Sequence, residues 1–170
     1  ISDQLSDIPA GMTGGDYRRT FGQDVYGEDT SQLIPDQSQL REILGCHLEA
    51  GDPELTRIQT PFGMPVAWNL SQRVNAATVH EQVAPYLERA FSGIEEQGLG
   101  ELVKFGGAYN PRRLRGSTQW SRHAWAVEID LNPEENQLRW GEDQYQMHPG
   151  IVRAFKDAGF AWMGDMGYDA

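Results

Sequence analysis

A single cysteine, Cys46, stands in the whole chain. That excludes an internal disulfide and any cysteine-rich zinc site. It lies in an apolar stretch with Ile43, Leu44 and Leu48, the setting of a buried, unreactive thiol. Basic residues are also scarce: 14 Lys and Arg against 25 Asp and Glu give a formal net charge of −11. Phosphate backbones need a basic face, so a nucleic-acid partner is excluded. The one basic run is Arg112-Arg113-Leu114-Arg115. No apolar run approaches the roughly eighteen residues of a membrane span, and no signal-like segment follows Ile1. The expectation is a chain that has been processed or cut from something longer. What is present is ordinary for a globular protein: 170 residues, 39% apolar and 23% charged, suit one domain with a real core. Nineteen glycines and nine prolines point to a loop-rich α+β fold.

Residues 1–34 are polar and lack a periodic apolar pattern, which predicts a linker or an ordered wrap over the rest. Pro35 to Gln39 predict the cap of a short helix carrying Leu40, Ile43, Leu44 and His47 on one face. Residues 57–68 read as extended, broken by a turn at Pro61-Phe62-Gly63-Met64-Pro65. Val79, Val83, Leu87, Phe91 and Ile94 recur at helical spacing, with Pro85 kinking or restarting the helix and Gly98 ending it. A short strand is expected at 101–106 and another at Ala124–Leu131, with Trp125, Val127 and Ile129 on one face. The last helix falls near Gly150–Ala158, followed by a closing strand at Phe160-Ala161-Trp162. No internal repeat is present.

The chemistry concentrates in Trp120-Ser121-Arg122-His123-Ala124-Trp125-Ala126-Val127-Glu128-Ile129-Asp130-Leu131-Asn132-Pro133. His123 and Asp130 offer an imidazole and a carboxylate, both good zinc ligands. They are seven positions apart. In a flat strand that odd separation places them on opposite faces. His123 must therefore sit in a turn before the strand, or the strand must bend.

Ser121-x-His123 followed by Asp130 resembles the Ser-x-His-x-x-Gly-x-Ala-x-Asp motif of D-alanyl-D-alanine carboxypeptidase-like zinc peptidases. These include VanY-type and VanX-type enzymes and the L-alanyl-D-glutamate endolysins of phages, within the superfamily of lysostaphin-like enzymes and the hedgehog domain. The resemblance runs over roughly residues 55–170. It takes in Gly106-Gly107-Ala108-Tyr109-Asn110-Pro111-Arg112, His148-Pro149 and Ala158-Gly159-Phe160-Ala161-Trp162. Two departures lie inside the motif: Ala126 stands at its glycine, and Glu128 at its second small residue. The family closes its site with Asp/Glu-x-x-His, in which the acid is the general base and the histidine is the third zinc ligand. Asp169 fits the acid, while the matching histidine falls two positions past Ala170, so the chain is expected to continue.

The resemblance implies an α+β domain over 35–170, in which a small, mainly antiparallel sheet carries a zinc site and helices pack on one face. Its zinc ligands are His123 and Asp130, its general base is Asp169, and Arg112, with Arg115 next in line, holds a substrate carboxylate and steadies the oxyanion. Ser121 is expected to orient His123 from outside the ligand shell. Arg113 is expected to be solvated. Asp165 is the rival for the base; His148, His80 and His47 are expected to be structural. The implied substrate is the peptide stem of bacterial peptidoglycan, cut by a secreted, periplasmic or cell-wall-acting monomer such as a phage lysin. The alternative is an inactive relative that binds a cell-wall peptide or a protein in the same groove.

Overall fold

The computed structural model describes residues 8–44, 54–137, 140 and 143–166. They form an α+β fold with a four-stranded sheet in the order β2-β1-β3-β4. β1 (Leu55–Val66) and β2 (Asn69–His80) are an antiparallel hairpin. β3 (Phe105–Gly107) joins β1 in parallel through Val66 and Phe105, and β4 (Asp130–Leu131) pairs antiparallel with β3. The helices are α1 (Gly14–Phe21), α2 (Gln37–Leu44), α3 (Ala84–Glu96) and α4 (Pro149–Asp157).

The hairpin corrects two expectations. Pro61 to Pro65 form no turn. They lie within β1, where the register to β2 shifts between Gln59 and Met64. That irregularity takes up Pro61 and a second one follows Pro65, since prolines cannot donate to a ladder. Val79 belongs to β2 and not to the helix; it reaches the core from the sheet, and its helical spacing to Val83 is coincidental. Pro85 sits in the first turn of α3, where its missing N–H costs nothing, and so it starts that helix. Gly98 follows the end of α3 with φ +70°, as a chain reversal there requires.

α3 turns Leu87, Ala90, Phe91 and Ile94 onto the sheet and α4, and all four are fully buried. Gly93 makes the close approach to α4, where a Cβ would already touch Ala154 at 3.4 Å. The N-terminal segment lays its aromatics on this core. Thr13 and Asp16 close a reciprocal cap on α1. Tyr17 is fully buried and donates to the Pro9 carbonyl at 2.8 Å. Tyr26 stacks 4.9 Å from the Trp162 ring. Residues 160–162 are not a strand. They lead into a 3-10 turn at Met163–Met166, with the Trp162 N–H bound to the Thr30 hydroxyl.

α2 carries the predicted cap: the Gln39 N–H donates to Asp36 Oδ1 at 2.8 Å. Of its expected apolar face, Leu40 is buried but Ile43 is exposed. Cys46 and His47 lie outside the described residues. His148 caps α4, its Nδ1 accepting from the Gly150 N–H at 3.0 Å while Nε2 donates to the Ile8 carbonyl at 3.0 Å. Burial holds its imidazole below the ordinary value of 6.5, partly offset by the Ile8 carbonyl. Because the folded-state value lies below the unfolded one, the stability this site contributes is present above pH 6.5 and is lost as the pH falls beneath it. His148→Asn keeps a capping acceptor without that titration. The gap in unfolding free energy between wild type and variant is expected to shrink from pH 8 to pH 5 in urea titrations. A gap independent of pH contradicts this.

Candidate metal centre

The segment after β3 builds the site. A short hairpin runs from Arg112 to Ser121, closed by the Ser121 N–H on the Arg112 carbonyl at 2.9 Å and by a bridge between Arg113 and Trp120. Arg113 is exposed but not merely solvated: its guanidinium lies 4.1 Å from the centre of the Trp120 ring. Arg115 lies in the turn at the far end of this hairpin and is exposed.

Residues 124–131 do not form the long strand that their alternation suggested. The chain instead makes a 3-10 turn at Arg122–Trp125 and becomes a strand only at Asp130–Leu131. Ser121 caps that turn, its Oγ accepting the His123 N–H at 3.3 Å. Ser121 therefore holds the backbone of His123, whereas the imidazole is oriented by another group, the Ala108 carbonyl 2.7 Å from Nδ1. Ala126 leaves the turn in the left-handed region at φ 59°, ψ 33°. That explains the glycine of the motif: here the backbone does require positive φ, and alanine bears a strain of about 1 kcal/mol. The turn is clamped by the His80 N–H on the Ala126 carbonyl at 2.9 Å and by the Asn110 N–H on the His123 carbonyl at 3.0 Å. His80 is itself buried at the end of β2, with Nδ1 accepting from the Gln82 N–H.

With His123 in the turn, the odd spacing to Asp130 no longer separates them. His123 Nε2 lies 3.2 Å from Asp130 Oδ2 and 3.7 Å from Glu128 Oε1. Glu128 and Asp130 stand two apart in the chain, and both carboxylates approach the same nitrogen of His123. Ligand atoms from His123, Glu128 and Asp130 all lie within 4.8 Å of one another, the one such group of three among the described residues. His123 forms the floor at 7% side-chain exposure and Asp130 the mouth at 47%. Burial disfavours a charged imidazole, but Asp130, then Glu128 and the Ala108 carbonyl, outweigh it and hold His123 above its ordinary value. The Glu128 carboxyl is pushed up by burial first and by Asp130, with His123, Arg122 and Arg112 pulling it partly back.

These residues fit a divalent metal. A carbonyl only accepts, so Nδ1 of His123 carries the proton of its bond to Ala108, which leaves Nε2, beside the carboxylates, as the nitrogen that would bind a metal in place of its own proton. Zinc bonds of about 2.0–2.1 Å at tetrahedral angles set donor atoms roughly 3.3 Å apart, close to the two separations from Nε2. β3 supports this spacing from behind. A Cβ on Gly106 would meet the Asp130 carbonyl and Pro133 Cδ, each at 3.0 Å, and Asp130 Cβ at 3.1 Å. Gly106→Ala is expected to push Asp130 outward, lowering stability by about 1–3 kcal/mol and weakening metal binding. Thermal unfolding and zinc titration check this, and wild-type values in both contradict it.

Asn132 completes the support and has no counterpart in the sequence reading. At φ 50° it follows Asp130 closely, accepts the Lys104 N–H at 2.8 Å and donates to the Leu102 carbonyl at 2.7 Å. These two partners are 28 and 30 residues away, so its tolerance of left-handed backbone was the main local signal. Arg112 and Arg122 both act on the Glu128 carboxyl electrostatically, which places Arg112, unlike Arg115, among the groups felt at the site. Asp165 is committed elsewhere: it accepts from Thr30 and pairs with Lys156 at 2.9 Å. Asp169 lies outside the described residues.

A small α+β domain whose sheet edge carries a His, Glu and Asp cluster able to hold a metal is thus defined by the structure alone. Residues 115–169 match a family model described as D-alanyl-D-alanine carboxypeptidase, a stretch that contains all three cluster residues. That match supports a peptidase of this general kind. No curated protein and no solved structure gives a significant match to the chain.

Proposed function

We propose that this protein is a zinc-dependent peptidase that hydrolyses the peptide stems of bacterial peptidoglycan, by removing a terminal D-alanine or by cutting between L-alanine and D-glutamate. The observation that carries this reading is the convergence of His123 and Asp130 at ligand spacing, inside the segment that matches the carboxypeptidase family model. A bound zinc supplies a Lewis acid and a water acidic enough to attack an amide near neutral pH. The chain's own residues do the rest. His123 and Asp130 hold the ion, with the imidazole locked by Ala108. Arg112 attracts the carboxylate of a short stem peptide to the mouth of the site. Asp169 takes the proton of the attacking water and returns it to the leaving amine. With such a substrate, the protein works outside the cytoplasmic membrane, as a monomer. Among the described residues no helix is long and apolar enough to cross a membrane.

The test uses the natural full-length chain loaded with zinc and offered synthetic stem peptides. The expected products are free D-alanine or a fragment with a new D-glutamate amino terminus. Their release should stop with a chelator and resume with zinc. A zinc-loaded protein that binds these peptides but leaves them intact overturns the enzyme and identifies a binding module instead.

A further inference from the structure

We infer that Glu128 is itself a direct metal ligand, so that His123, Glu128 and Asp130 form a one-imidazole, two-carboxylate site within eight consecutive residues. This rests on the metal reading above and goes beyond it, because position 128 is where the resembled motif carries a small residue that can bind nothing.

Three observations lead there. Glu128 Oε1 lies 3.7 Å from His123 Nε2, on the same side as Asp130 Oδ2 at 3.2 Å, and the donors all fall within 4.8 Å of one another. The two separations from Nε2 are near the roughly 3.3 Å between donors around a tetrahedral zinc, and the coordination sphere keeps room for water, as catalytic zinc sites require. Next, among the described residues no Lys or Arg competes for the carboxylate at ion-pairing distance, although Arg112 and Arg122 act on it from farther away. Arg122 instead donates to the Pro35 carbonyl at 3.0 and 3.3 Å. Finally, Glu128 does not turn away to solvent. Its side chain is only 24% exposed, less than that of Asp130, and its carboxylate stays beside the one imidazole of the cluster. A spectator carboxylate on a surface segment would swing outward. This one stays on the cluster.

The experiment measures zinc affinity by competition with a chromophoric chelator on the natural full-length chain, beside Glu128→Ala, Glu128→Gln, Glu128→His and His123→Ala. Direct ligation predicts that Glu128→Ala and Glu128→Gln bind zinc at least about tenfold more weakly. Glu128→His, which returns a donor at similar reach, is expected to recover most of the affinity. X-ray absorption of the zinc-loaded forms should show one oxygen ligand fewer in Glu128→Ala and one nitrogen more in Glu128→His. Unchanged affinity and ligand count in Glu128→Ala, with binding lost in His123→Ala, overturns the assignment and leaves the peptidase reading standing. The same holds if Glu128→Gln keeps its affinity and loses only turnover, which marks a proton-transfer role. A wild type that binds no zinc overturns both.

Discussion

His123→Ala is expected to lower zinc affinity by at least about 100-fold, the upper end of what loss of a mere outer-shell partner costs. The reason is geometric. Nε2 is the donor from which the two carboxylates are measured at 3.2 and 3.7 Å, and it is the only nitrogen in the cluster. Without it, two carboxylates remain, a set better suited to hard ions than to zinc. The same change leaves the Ala108 carbonyl without its partner, which costs about 1–3 kcal/mol and not the whole fold. Calorimetric zinc titration paired with thermal unfolding separates the two effects. A folded variant that still takes up zinc like wild type contradicts the site.

Asp165→Asn is expected to be the more damaging change to stability, by about 3–5 kcal/mol and on the order of 10 °C in Tm. Asp165 and Lys156 are an ion pair at 2.9 Å with side chains only 5% and 7% exposed. Asp165 Oδ2 also takes both the N–H and the hydroxyl of Thr30 at 2.7 Å, and Lys156 donates to the Glu28 carbonyl at 2.6 Å. The pair thus ties residues 28–30 to α4 and to the turn after Trp162. An amide at 165 leaves a buried ammonium without its counter-charge. Differential scanning calorimetry reads the outcome; a loss below about 1 kcal/mol, the worth of an exposed pair, contradicts it. Asp165 acts through stability, so any folded fraction of Asp165→Asn should keep its metal.

Much of this site was legible before any coordinates. The odd spacing of His123 and Asp130 required a turn or a bend, and the chain supplies a 3-10 turn with a left-handed exit at Ala126. What pattern reading missed has physical causes. The alternation over 124–131 records burial of Trp125 beside a turn and not a ladder, because β4 spans only Asp130 and Leu131. Whether Glu128 faces the cluster turns on the backbone between Ala126 and Asp130, which joins no ladder until Asp130. The N-terminal elements show no periodicity because they are one eight-residue helix and short 3-10 turns. Caps and stacked aromatics hold them, and no long stripe was needed. Asn132 was invisible for another reason: its work is to bond Leu102 and Lys104, a pairing that only the folded sheet creates.

The measurement that bears most directly on the account is the metal content of the natural full-length chain, purified without added metal and analysed by mass spectrometry. The account predicts close to one zinc per chain, removable by chelator and restored stoichiometrically. A folded protein that carries no zinc, and takes none up when it is offered, contradicts it.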